Sequence, residues 1–192
     1  MSTEATTNLM TADQFAEWVS RPENRGRIFE LNRGEVVEMS RPGEVHSVVC
    51  ANIVWALSNY VRQRRRGRVL SNDPGLILER DPDTVRGPDV VLFDTARTYD
   101  ELHPKWVEEV PALAVEVWSP NDRIGKMTRR TALFLKAGIR LVWLVDPEAR
   151  DVTVHRKGAD PYVVEEDQEL TGEDVLPDLR VGVADFFFLP AE

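Results

Sequence analysis

The segment from Pro111 to Pro120, PALAVEVWSP, constrains this chain more than any other. Leu113, Val115 and Val117 alternate along it and Val117-Trp118 favours extended backbone, which predicts a short strand. In its middle lies one carboxylate, Glu116, with apolar neighbours on both sides. An ionised carboxylate is costly to bury unless a partner offsets its charge, so the strand asks for a cation. Upstream, Gly87-Pro88-Asp89 places a second acid at the mouth of another apolar run, Val90 to Phe93. Two strands that each present a carboxylate, followed by a basic helix, suit a divalent metal. Mg2+ takes oxygen ligands, often one or two carboxylates completed by water and phosphate oxygens.

The chain has 192 residues, of which 42% are hydrophobic, enough for one packed domain and too little for two. We expect an extended or disordered stretch over 1–10 and one domain over 11–190. Cys50 is the sole cysteine, which excludes an internal disulfide and points to a reducing compartment. The start of the chain is polar and lacks a signal-peptide pattern. Apolar runs such as Leu141–Val145 fall far short of the roughly 20 residues that span a bilayer. The expectation is a cytoplasmic protein with no membrane association. The formal charge of −9 argues against a protein that coats nucleic acid avidly. It does not argue against a nuclease, since a metal-binding cleft collects acids and the ion restores positive charge locally.

Thr11 and Gln14 have the capping-box spacing and open a helix through Phe15, Trp18 and Val19. A hairpin follows, Arg27–Leu31 and Glu35–Met39, turned at Asn32-Arg33-Gly34. Val49, Ile53, Leu57 and Tyr60 form the stripe of a long helix over 44–66, with Gly67 as its terminator. Strands are expected at 69–70, 75–78 and 89–93, with a turn over 81–84 and a polar connection over 94–109. Ser119–Asp122 is a loop and helix start, and the helix that follows stops at Gly138. Arg140–Val145 and Val152–His155 read as paired strands, Tyr162–Val164 as a further one, and Asp174–Leu179 with Val183–Leu189 as an apolar closing segment. A βαβ-like crossover beside antiparallel hairpins means α/β with a mixed sheet.

The helix after Glu116 carries Arg123, Lys126 and Arg130. The last two are one turn apart and share a face, while Ile124, Thr131, Phe134 and Leu135 are available for packing. A cation there could orient an attacking water or offset charge on a phosphate. Plainer readings stand beside these. Pro88-Asp89 is also ordinary turn chemistry, and Glu30 fits the wet face of an edge hairpin. His46 fits a helix start, and the Arg62–Arg68 cluster fits a solvated helix end.

Taken in order, Phe29–Glu35, His46 at a helix start, Gly87–Val90, Ala114–Pro120 and Ala137–Pro147 resemble the Uma2-like (DUF820) endonucleases, members of the restriction-endonuclease-like PD-(D/E)xK superfamily. The resemblance covers roughly residues 11–188. It implies a mixed central sheet flanked by helices, with the N-terminal helix and hairpin attached. It also implies DNA cleavage that depends on Mg2+ or Mn2+. Carried over, Asp89 matches the acid of the Pro-Asp element, Glu116 the second acid, Glu30 the acid of the early Glu-Leu segment and His46 the helix-start histidine. All three acids are implied metal ligands. The superfamily lysine two residues after the glutamate is Trp118 here, as expected for a family that carries it on the next helix. There Arg130 stands at the matching position, with Lys126 one turn earlier. Either Lys126 reaches the site instead, or turnover is weakened, because arginine is a poor proton relay. Alternatives are an inactive nuclease-fold interaction module, or a phosphodiesterase acting on RNA or small nucleotides. The superfamily resemblance also implies a possible homodimer.

Overall fold

The computed structural model describes residues 9–119 and 124–190. The stretch 1–10, expected to be extended or disordered, lies outside them apart from Leu9 and Met10. Helix α1 (Ala12–Val19) starts as the capping box requires: Gln14 N donates to Thr11 Oγ1 at 3.2 Å and Thr11 N donates to Gln14 Oε1 at 2.9 Å. It buries Ala12 and Phe15 against the hairpin of β1 (Ile28–Asn32) and β2 (Glu35–Met39). Arg33 and Gly34 both adopt left-handed backbone, φ 51° and 83°, which matches the twist of a tight hairpin.

Helix α2 (Glu44–Arg64) buries Val49, Ile53, Ala56 and Leu57, with Tyr60 packed against the same core. It ends earlier than the sequence predicted. Arg65 turns left-handed at φ 52°, and its N–H closes onto Arg62 O and Val61 O. Four strands follow: β3 (Arg68–Ser71), β4 (Leu76–Glu79), β5 (Thr84–Arg86) and β6 (Val90–Phe93). β5 was not foreseen, since the sequence shows only a turn and then Gly-Pro. At three residues it is too short for alternation to register, yet it pairs with both β1 and β4.

β7 (Leu113–Val117) leads through α3 (Ile124–Lys136) to β8 (Leu141–Asp146), which pairs with β7 in parallel, the crossover the sequence predicted. β9 (Asp151–Arg156) and β10 (Tyr162–Val164) extend that sheet. Around the closing segment two strands were not foreseen: β11 (Glu169–Thr171) pairs with β12 (Arg180–Gly182), and a 3-10 turn (Val183–Phe187) packs on α2.

The central sheet has six strands in the order β10-β9-β8-β7-β6-β3, and a second sheet has four in the order β2-β1-β5-β4. Helices cover both faces of the central sheet, so β7 is buried along its whole length. One face, with Leu92, Val115, Val117 and Trp143, packs under α2. The other, with Val91, Phe93, Ala114 and Val142, packs under Phe134 of α3. Each fully buried Val, Leu or Phe there contributes about 1.5–3 kcal/mol. On α3 the buried residues are Met127, Thr131 and Phe134; Ile124, expected on the packing side, is 73% exposed at the first residue of the helix. Of the expected loop and helix start at Ser119–Asp122, Ser119 is described, while residues 120–122 and Arg123 lie outside the described residues. No described helix is long and apolar enough to cross a membrane.

Candidate active site

Strands β6 and β7 run antiparallel, with Val90 opposite Val115, Val91 opposite Ala114 and Leu92 opposite Leu113. Continued by one residue, that register sets Asp89 opposite Glu116. Alternation turns both toward the face shared by Val91 and Ala114, the face under α3. Directly opposed like charges destabilise a sheet unless something of the other sign stands between or beside them. Asp89 is held by both oxygens: Oδ2 accepts from Val117 N at 2.6 Å, and Oδ1 lies 3.1 Å from His46 Nε2. Glu116 is 6% exposed, and its Oε1 accepts from Arg130 Nε at 2.7 Å.

Arg130 is the hub. Met127, Arg130 and Phe134 follow three-to-four spacing on α3, which aims Arg130 down at the ends of β6 and β7, its guanidinium 5.4 Å above the Phe134 ring. Besides Glu116, it donates through NH1 to Glu30 at 2.8 and 3.0 Å, and through NH2 to Gly87 O at 2.7 Å. Glu30 also accepts from Arg86 NH1 at 2.6 Å and from Gly87 N at 3.0 Å. Both Glu30 oxygens are therefore engaged by protein donors. Gly87 is required by a close approach: a Cβ there would stand 2.8 Å from both Asp73 Cβ and Asp73 O.

Burial pushes Glu116 up to about 8, against the pull of Arg130 and with the push of Asp89. Burial also works to raise Glu30, but Arg130, Arg86 and the Gly87 N–H together hold it below the ordinary carboxylate range. Asp73, on the loop between β3 and β4, is raised by burial and by Asp89. Burial would lower Arg130, but Glu116 and Glu30 outweigh it, so the guanidinium stays charged.

These residues line a cleft of about 490 Å³ at the seam of the two sheets. Of the residues expected from the sequence, Glu30, His46, Asp89, Glu116 and Arg130 meet inside it, and Lys126 lines it from the exposed side of α3. The Arg62–Arg68 cluster is engaged elsewhere, Arg64 with Pro177 O at 2.6 Å and Arg68 with Glu109 at 2.7 Å. Sequence reasoning missed Arg86, Asp73 and Cys50. For Arg86 a signal was present, since a lone acid in β1 needs a cation and Arg86 directly precedes Gly-Pro-Asp.

The fold is shared with a solved structure. A crystal structure of a "putative nuclease belonging to DUF820" from Anabaena variabilis matches with a TM-score of 0.76 and 22% identity, over 93% of this chain and 97% of that one. The chain itself belongs to the Uma2 family, described as "Putative restriction endonuclease", whose family model matches residues 12–184. No curated protein matches it.

Proposed function

We propose that this chain is a metal-dependent endonuclease that hydrolyses phosphodiester bonds in DNA through a PD-(D/E)xK-type site. The observation that carries this reading is Asp89 opposite Glu116, two acids on adjoining strands that line one cleft. Membership of a nuclease family supports it. The donor set is carboxylate oxygen, which fits Mg2+ or Mn2+. Asp89 and Glu116 would hold the ion. Glu30 would help to hold it, and it also fixes Arg130. Such an ion supplies Lewis acidity toward the scissile phosphate and a more acidic water. The chain's own residues bind and orient. His46 holds Asp89 from the first turn of α2, and Arg130 presents fixed positive charge toward the phosphate. Lys126 is the group suited to take or give a proton, because arginine stays protonated.

Plasmid nicking with and without Mg2+ or Mn2+, with Glu116→Ala as control, tests the assignment. Cleavage by the variant equal to that of the unaltered protein would sink it. A panel of DNA, RNA and dinucleotide substrates separates DNA cleavage from action on RNA or small nucleotides. Sedimentation reads the expected homodimer.

A second reading, an inactive interaction module on the nuclease fold, is favoured by Arg130 itself. It fills the place of the superfamily lysine and already engages Glu116 and Glu30. Calorimetric Mn2+ titration separates the two, since an inactive scaffold binds no Mn2+ in a way that depends on Asp89 and Glu116.

A further inference from the structure

Cys50 lines the same cleft and has no part in the chemistry above. It lies one helical turn after His46 on α2, so both side chains leave the same face of the helix. Cys50 Sγ is 3.5 Å from His46 Nδ1, and His46 Nε2 is 3.1 Å from Asp89 Oδ1. One ligand atom from each of the three residues lies within 4.8 Å of the others, and all three residues are half-buried. Zn2+ bonds are roughly 2.0–2.3 Å, so side-chain shifts of about an ångström would bring the three onto one ion.

The donors differ in kind from the Asp89–Glu116 pair. A carboxylate pair suits hard Mg2+, whereas imidazole and thiolate select softer ions, Zn2+ above all among available metals. We propose that His46, Cys50 and Asp89 form a Zn2+ site, and that Zn2+ seated there withdraws Asp89 from the Mg2+-binding pair and stops cleavage. The second half rests on the nuclease reading; the first does not. Binding costs the thiol its proton, which leaves to solvent as the sulfur–zinc bond forms. Burial and the Asp89, Asp73 and Glu116 carboxylates hold the free thiol well above its ordinary range. The same negative surroundings favour a divalent cation, whose coordination removes the thiol proton outright. Asp73, which lines the same cleft, adds negative charge that favours the ion, and water can complete four-coordination.

Co2+ serves as a spectroscopic stand-in for Zn2+. The purified, metal-free chain titrated with Co2+ should develop the near-ultraviolet charge-transfer absorption of a cobalt–thiolate bond, saturating at one ion per chain and bleached by Zn2+. Cys50→Ser and Cys50→Ala should both lack it, with unchanged far-ultraviolet circular dichroism. Zn2+ affinity should fall roughly 10–100-fold in these variants and in His46→Gln. No such absorption in the unaltered protein, or equal Zn2+ affinity in the Cys50 variants, overturns the site whether or not the protein cleaves DNA. In the Mg2+ nicking assay Zn2+ should inhibit, and each Cys50 variant should need at least about tenfold more Zn2+ for half-inhibition. The absorption band together with Mg2+ cleavage indifferent to Zn2+ overturns the regulatory half. A band in a protein that never nicks DNA upholds the site and refutes the nuclease reading.

Discussion

Arg130 Nε lies 2.7 Å from Glu116 Oε1, and the same guanidinium reaches on to Glu30 in the other sheet. Glu116 belongs to the central sheet and Glu30 to the four-stranded one, so one side chain ties the two sheets together. Arg130→Ala would leave two buried acids without their shared cation. Removing one partner of such a group destabilises a protein by about 3–5 kcal/mol. Urea unfolding should show that loss, and Glu116→Gln placed on top of Arg130→Ala should restore part of it.

The two acids on Arg130 should give opposite pH signatures in metal-free protein. Glu116 rises from the ordinary 4.5 to about 8 on folding. Its contribution is complete below the ordinary value and is lost as pH climbs toward 8, by up to about 1.4 kcal/mol per pH unit. Glu30 is lowered, so its contribution is present above its ordinary value and is lost as pH falls through the depressed one. Urea midpoints in a chelator between about pH 5 and 8 should fall less steeply for Glu116→Gln than for the unaltered chain.

Asp89→Asn keeps an oxygen to accept from Val117 N, now 2.6 Å from Asp89 Oδ2, so the fold should survive. It loses the charge that a divalent ion needs. Nicking should fall at least about 100-fold, with little change in melting temperature. Chelation should abolish cleavage by the unaltered chain, and added Mn2+ should restore it.

Lys126→Ala removes an exposed side chain on the rim of the cleft, one turn from Arg130. Loss of a positioned proton-transfer group costs about 10²–10⁴ in rate. Single-turnover cleavage with saturating Mg2+ should show it, with Mn2+ affinity measured by calorimetry unchanged.

Gly87→Ala would press a methyl group against Asp73, at 2.8 Å from its Cβ and its carbonyl oxygen. Overpacking of this kind costs about 1–3 kcal/mol. The melting temperature should drop by several degrees, and nicking should weaken as well. Gly87 N donates to Glu30 and Gly87 O accepts from Arg130, so any shift there disturbs both.

Much of this arrangement was legible in the sequence because the decisive residues break a local pattern. Glu116 and Glu30 are acids inside apolar strands, and each has a half-buried arginine beside it. The capping box at Thr11 and the stripe on α2 depend on neighbours a few residues away, and both appear as expected. What escaped depends on pairing at long range. β5 is three residues long and exists because β1 and β4 flank it. Arg86 acquires its role from Glu30, 56 residues earlier in the chain. Asp73 follows Asn72 in a turn where both adopt positive φ, 68° and 54°, and its turn-like sequence hid a carboxylate that faces the cleft.

The span of Arg130 across both sheets bears on how such a chain can change over evolutionary time. A lineage that gave up cleavage could discard Lys126 from its outer helix face cheaply. It could not discard Arg130, Glu30 or Glu116 without loosening the body of the molecule. Descendants that no longer cut would still carry most of the blade's fittings, so an intact acidic trio and its arginine testify to ancestry more firmly than to present activity.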